Sequence, residues 1–426
     1  MTWINAASAR RDDTGHMASE PASASPAFSP ALLARAPHRL MFFIGAANVL
    51  LAMAWWTLWL VDARWQLFGL PQPRVYGGWL HAIVMQYQVL APFMFGFLLT
   101  VFPRWMGQDE LTRWHYVPVG LGLFGGQLLT LAGALGPAHL LHVGALFTLA
   151  GWATGLAYLL RLLWRDGGKT WHAVSCAGAM LLGLAGFAAY AAFLHTDDAR
   201  LAFAAIKIGS FGLLLPVYFT VAHRMFPFFA GNVVAGYKPW RPMWLLGAFW
   251  PLVLAHLALE LVHGYAWLWL ADAPLLALSA AWLWRNWPRG AAPALLRVLF
   301  LGFAWLPVAL VLYLVQSGVY AADGDFILGR APAHALFIGF FGSLLVAMVT
   351  RVTQGHSGRP LVFGGVAMFA FVVLQLVCVM RIAAELAPDQ MAWHVAAAAG
   401  WLLAFAPWVL RSLRIYLAPR ADGKPG

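Results

Sequence analysis

Residues 332–352, PAHALFIGFFGSLLVAMVTRV, decide the class of this protein. The run carries no formal charge before Arg351 and no strict alternation of polar with apolar side chains. About 20 mostly apolar residues span the hydrocarbon core of a bilayer when helical. The run is too long for a strand and too continuously apolar for the half-wet helix of a soluble domain. Lipid gives the backbone no hydrogen bonds, so a helix is the conformation the run must take. Working outward from it, eleven further runs of the same kind are read at 40–61, 76–102, 116–135, 139–160, 172–194, 201–229, 241–262, 264–284, 296–316, 361–386 and 391–416. The expected fold is all-α, a polytopic transmembrane helical bundle of about twelve spans forming a single membrane domain over 38–416.

The composition agrees. Of 426 residues, 62% are hydrophobic and 10% are charged. A soluble domain carries roughly a quarter charged residues. Disorder, a cytosolic enzyme and a secreted disulfide scaffold are therefore excluded. Cys176 and Cys378 lie in separate apolar runs, which leaves no cysteine-based metal cluster. Residues 1–37, rich in Ala, Ser and Pro, read as an unstructured cytoplasmic tail, and 417–426 as a second one. Arg10-Arg11 is followed by no apolar stretch until residue 40, so no cleavable signal is expected.

The formal charge of +11 is first a topology signal. With the N-terminus placed inside, the outer loops hold only Arg64, Arg74, Arg200, Arg330 and Arg381, and Lys207 falls within a span. The other 21 of the 27 Lys and Arg side chains lie on the inner side. Both termini are thus predicted to be cytoplasmic, in a bacterial inner membrane, and the excess charge gives no reason to expect nucleic acid as a partner.

Fourteen histidines are present, and ionisable side chains inside spans are functional candidates by default. Topology sorts them by depth. His81, His334, His394, His139 and His142 fall near the outer ends of even-numbered spans. His256 and His263, seven apart, are expected to share a face in the outer half. His223 and His356 lie toward the inside. Neutral imidazole ligates both haem iron and copper. A haem between two helices needs one His from each at matching depth, which His81 and His334 meet best. His256 or His263 is the candidate for a second metal. His38, His115, His139, His142, His172 and His195 sit at span ends, where capping or interface roles are the plainer reading. Glu260 is read as orienting an imidazole or pairing with a neighbouring helix, and Lys207 as reaching for the outer surface. Pro92, Pro216, Pro251 and Pro307 are expected to kink their helices and open space between them. The glycines of Gly120–Gly126 are expected to let helices pack closely.

Three segments resemble the NnrS family. The longest is AHALFIGFFGSLLVAMVTRVTQGHSGRPL at 333–361, a histidine heading a span that leads into R-V-x-x-G-H-[ST]-G-R. The second is His81 followed by GFLLT at 96–100 and PRWMG at 103–107, and the third is RMFPFF at 224–229. The resemblance covers roughly 38–416 and implies a polytopic inner-membrane protein containing haem, b-type, and copper, linked to nitric oxide stress and denitrification. By position, His81 and His334 are its metal or haem ligands, with His356, Arg351 and Arg359 in a further matching element. The arginines would pair with haem propionates or small anions. This chain departs from the family where W-H-A-H-E-M is expected: Ile83 and Val84 replace a His and the Glu. It also has His223 where the family usually has Gly. His334 and His356 are a membrane thickness apart on one helix, so they cannot share one iron.

The expected function is therefore a haem- and copper-binding membrane protein of the nitric oxide response, with nitric oxide or a small redox ligand as its partner beside the lipid bilayer. The alternatives are a redox enzyme like the haem–copper oxidases and a secondary transporter with histidine proton relays.

Overall fold

The computed structural model describes residues 28–424. Among them there is no strand, and twelve long helices follow one another: α1 (Pro37–Trp65), α2 (Gly77–Trp105), α3 (Arg113–Leu135), α4 (His139–Asp166), α5 (Trp171–Thr196), α6 (Ala199–Val233), α7 (Met243–Leu261), α8 (Trp269–Asn286), α9 (Ala294–Asp323), α10 (Ala331–His356), α11 (Gly365–Leu386) and α12 (Gln390–Leu417). Eleven of the described helices are long and apolar enough to cross a membrane. The one left out is α8, where Asp272, Arg285 and Asn286 lower the hydropathy of 18 residues. It nonetheless packs between α7 and α9. Short connections place each helix beside its predecessor, and α12 returns to α1, closing the bundle.

Three helices sit at the centre. α2, α10 and α6 are 83%, 72% and 61% buried, against 56% or less for the other eleven-set members. They are four apart in chain order, and each carries a π-helical segment: Met85–Val89, Ile208–Leu214 and Ala335–Gly342. Wide turns are tolerated inside a membrane protein only where side chains satisfy the freed backbone groups. Those partners are present. Asn48 Nδ2 donates to the Gln88 carbonyl at 2.8 Å, and Trp152 Nε1 to the Tyr87 carbonyl at 3.1 Å. The Tyr87 hydroxyl donates to the Ala205 carbonyl at 2.6 Å, and Gln86 Nε2 to the Ile206 carbonyl at 3.1 Å. Pro92 and Pro216, which lack an N–H, follow the first two wide segments. The expected opening of space at these prolines is found below them. An apolar cavity with about 530 Å³ free of protein atoms, partly open to its surroundings, lies among α1, α2, α6 and α10. Phe42, Phe93, Met94, Tyr218, Phe226 and Met348 are among its walls.

The α3–α4 pair shows close packing through glycine, as the sequence implies. A Cβ on Gly122 would meet the Gly151 Cα at 2.6 Å and its N at 2.7 Å. The contact is backbone to backbone, so no side chain can swing away.

The expected N-terminal tail falls partly outside the described residues, at 1–27. The portion within them is structured. Pro30–Arg35 form a short 3-10 turn capped by Ser29, and Leu32 is buried. The Ser29 N–H bonds the Leu417 carbonyl at 3.0 Å. Arg39 holds the other chain end, donating to the carbonyls of Tyr416 and Ala418. Residues 418–424 are likewise tied down, through Arg420 to the His356 carbonyl at 2.9 Å and Ala421 N–H to Ser357 O at 2.9 Å.

Candidate functional site

The structure distributes the candidate ligands over four places. The first brings His81 and His334 to the same end of the bundle, the one expected to face outward. His81, one turn before the wide segment of α2, stacks on Trp56 at 4.3 Å with the planes 9° apart, and Trp56 stacks in turn on Trp59 at 5.1 Å. The ring is thereby fixed by α1, yet its Nδ1 is enclosed with no hydrogen-bond partner. His334, just before the wide segment of α10, bonds through Nδ1 to the Arg330 carbonyl at 2.9 Å. A carbonyl accepts only, so Nδ1 carries the proton and Nε2 the lone pair. Metal-bound histidines are oriented in this way. Arg381 of α11 lies within charge range of His81, His334 and His394. It is 7% exposed and donates to Glu385 at 2.7 Å. The enclosed Nε2 of His394 also faces Glu385, at 3.9 Å. The Arg381–Glu385 pair was not foreseen from the sequence, where Arg381 was one of five arginines counted on the outer side.

The second place holds His256. Its Nδ1 lies 2.6 Å from Asp272 Oδ1 and its Nε2 3.7 Å from Glu260 Oε1, both side chains being buried. Glu260 reaches Lys207 Nζ at 2.7 Å. Lys207 therefore does not run free to the surface as expected. It is paired, because an opposite charge nearby is cheaper than stretching a cation out of an apolar stripe. His263 does not share the His256 face. Helix α7 ends at Leu261, and the backbone turns left-handed at His263 (φ 57°), so the seven-residue spacing no longer maps to one face. His263 is exposed and bonds the Tyr265 hydroxyl at 2.8 Å. Outside the helices, burial and the charge of Glu260 push the Tyr265 hydroxyl up to about 12.

The third place, toward the opposite end, holds His223. It is buried beside His172, Nδ1 to Nε2 at 3.0 Å, with Arg224 near His172 at 3.4 Å and stacked over Trp105 at 4.4 Å. His172, read as an interface residue, is part of this buried pair. The fourth place holds His356, whose ring lies against that of His38 with centroids 4.1 Å apart. A tight turn follows His356: Gly358 has φ 68°, and the Arg359 N–H reaches back to Gln354 O at 3.0 Å. Arg351 lies over the Phe229 ring at 3.8 Å. Arg359 keeps one buried Nη1 without a partner, and burial holds its guanidinium below its ordinary range. His334 and His356 head and end the unbroken α10, roughly 30 Å apart, as their spacing requires.

Residues 32–420 match the family of the NnrS protein. The chain belongs to the NnrS family. No curated protein matches it. For this NnrS-family membrane protein, His81 and His334 fit a haem iron in donor chemistry. One has a buried nitrogen without a partner, and the other has its second nitrogen oriented by a backbone carbonyl. Among the described residues no group of three or more His, Cys, Asp or Glu side chains is arranged to hold a metal ion. Both ring nitrogens of His256 already face carboxylates.

Proposed function

We propose that this protein is a haem-binding inner-membrane protein of the nitric oxide response associated with denitrification. In this reading His81 and His334 hold the iron between α2 and α10. The observation that carries it is the enclosed, unpartnered Nδ1 of His81 at the same end as His334, whose Nδ1 is spent on a backbone carbonyl. An orphaned buried nitrogen costs about 1–3 kcal/mol, a cost that a bound ligand removes. When bound, the haem supplies a redox-active iron that takes diatomic ligands. The chain's own residues do the rest. Trp56 and Trp59 fix the plane of the His81 ring and exclude water from it. Arg381 offers a buried cation beside the pair, suited to a propionate. In this reading the haem is b-type, held without covalent attachment, and both cysteines are free. Copper is not placed.

The test is optical. The purified protein, expressed with adequate haem, should show a Soret band that shifts on reduction and on adding nitric oxide. His81→Ala and His334→Ala should each abolish or shift the band, and His263→Ala should leave it alone. A wild-type protein without a Soret band refutes the proposal, and normal spectra in both ligand variants refute the assignment.

A further inference from the structure

Four ionisable side chains from three helices meet in the half of the membrane expected to face outward: Lys207 (α6), His256 and Glu260 (α7) and Asp272 (α8). Burying charges is costly unless they balance. With His256 neutral, one cation faces two carboxylates and the network carries a net charge of minus one. With His256 protonated, the charges cancel.

The geometry shows where the proton goes. With Asp272 ionised, its Oδ1, 2.6 Å from Nδ1, accepts the Nδ1–H bond. In a neutral ring this leaves the lone pair on Nε2. That nitrogen is buried, has no hydrogen-bond partner, and faces Glu260 Oε1 at 3.7 Å. A lone pair aimed at a carboxylate is an arrangement that only a proton between them makes favourable. The route is set by exposure. His256 and Asp272 side chains are 0% exposed, Glu260 3% and Lys207 23%, so the Lys207–Glu260 end is the wet one. The other titratable groups facing the network are Tyr313 of α9, whose ring meets that of His256 at 5.2 Å, and Tyr265 in the turn after α7. Both hydroxyls are neutral at ordinary pH and do not alter the count. Phe211, in the wide segment of α6, covers the other face of the imidazole at 3.7 Å. Lys207 immediately precedes that segment.

We propose that the Lys207–Glu260–His256–Asp272 network is a proton-binding site within the membrane that takes up one proton at His256 Nε2 from the outer aqueous side by way of Glu260. In the step, the Glu260 carboxylate first takes a proton from a hydronium ion of the outer aqueous phase, leaving water. Its O–H bond then breaks as the Nε2–H bond forms, and the carboxylate is restored. Charge is conserved, and no other reactant is needed. The site is separate from the His81–His334 pair and does not depend on the haem reading.

The test is nitrogen-15 NMR of histidine-labelled full-length protein in lipid nanodiscs, with the His256 signals assigned by their loss in His256→Gln. The wild-type ring should pass between the doubly and singly protonated forms as pH is varied. Asp272→Asn should weaken proton binding by about tenfold or more. Lys207→Met, which makes the network more negative, should strengthen it by a similar factor. The opposite signs distinguish a charge-balanced proton site from structural damage. Glu260→Gln provides a third change of charge if Asp272→Asn does not fold, and should weaken binding. A His256 ring that stays singly protonated from about pH 5 to 8, or variants that all shift the same way, would overturn the proposal.

Discussion

His172 Nε2 and His223 Nδ1 lie 3.0 Å apart, and the neighbours of the two rings determine which nitrogen donates. His223 Nε2 sits 3.3 Å from the Pro242 carbonyl, which accepts only, so its proton is on Nε2 and its Nδ1 is an acceptor. His172 must then donate from Nε2, which leaves its Nδ1 as the acceptor for Arg224 Nη1 at 3.4 Å. All four ring nitrogens are used in one directed chain across α5 and α6. His223 in this arrangement has no lone pair left for a metal.

His172→Phe breaks that chain in two places. It leaves the buried His223 Nδ1 without a donor and removes an acceptor from Arg224. The cost should be about 1–3 kcal/mol, read as a lower melting temperature by tryptophan fluorescence in detergent. The double variant His172→Phe, His223→Phe should lose less than the sum of the singles, because each single removal orphans the other ring. Strict additivity would show that the rings do not interact.

The Arg381–Glu385 pair is almost wholly enclosed. Removing one partner of such a pair costs about 3–5 kcal/mol, while replacing both with apolar side chains is close to neutral. Glu385→Gln should therefore destabilise the protein more than Arg381→Met, Glu385→Leu does. If haem is bound beside Arg381, the double variant should also shift its reduction potential while keeping its fold. Equal stabilities for the two variants would refute the pairing argument.

At the same end, Arg64 of α1 donates to both oxygens of Asp389 at 2.8–3.2 Å, and the Ala392 N–H caps the start of α12 on that carboxylate. The Arg64 guanidinium, more than the cap, holds the Asp389 carboxyl below its ordinary range. A carboxyl held down in the folded state adds stability above its unfolded value, about 4, and loses it as pH falls through the folded value. Hydrogen exchange in the first turn of α12 should quicken in acid below about pH 4, relative to the rest of the helix. Asp389→Asn should show the faster exchange already at neutral pH and little further change in acid.

Gly122 allows the backbones of α3 and α4 to touch. Gly122→Leu should cost about 1–3 kcal/mol or more through overpacking, since the obstruction is the Gly151 main chain. Gly178→Ala serves as the control, because a Cβ there meets nothing within 4 Å. A similar loss at both positions would show that the contact at Gly122 does not control stability here, since both substitutions raise helix propensity.

Much of the architecture was legible in the residues. Helix number and order followed from apolar run length, and that His81 and His334 share one end of the bundle while His356 lies at the other followed from counting along alternating spans. The shortfall at α8 was visible as Asp272 and Arg285 in an otherwise apolar segment. The lateral neighbours were not legible. His172 looked like a span-end residue because nothing in α5 alone shows that α6 presents His223 to it. The expected shared face of His256 and His263 failed because the helical period was carried past residue 262, where the run itself was read to end. Lys207 was read alone, although its partner Glu260 had already been singled out.

By itself, then, the sequence determined what hydrophobic burial controls, namely twelve helical runs, their order and the position of most polar groups along them. Run length, charge placement and residue spacing are one-dimensional quantities, and a membrane turns them directly into depth. The tertiary structure alone decided which groups at one depth meet. It set His81 beside Trp56, joined His172 to His223, and placed Asp272 and Glu260 on either side of His256. Those pairings depend on the order of helices around the bundle and on three wide turns that rotate α2, α6 and α10. Both arise from packing between segments far apart in the chain, which no local pattern records.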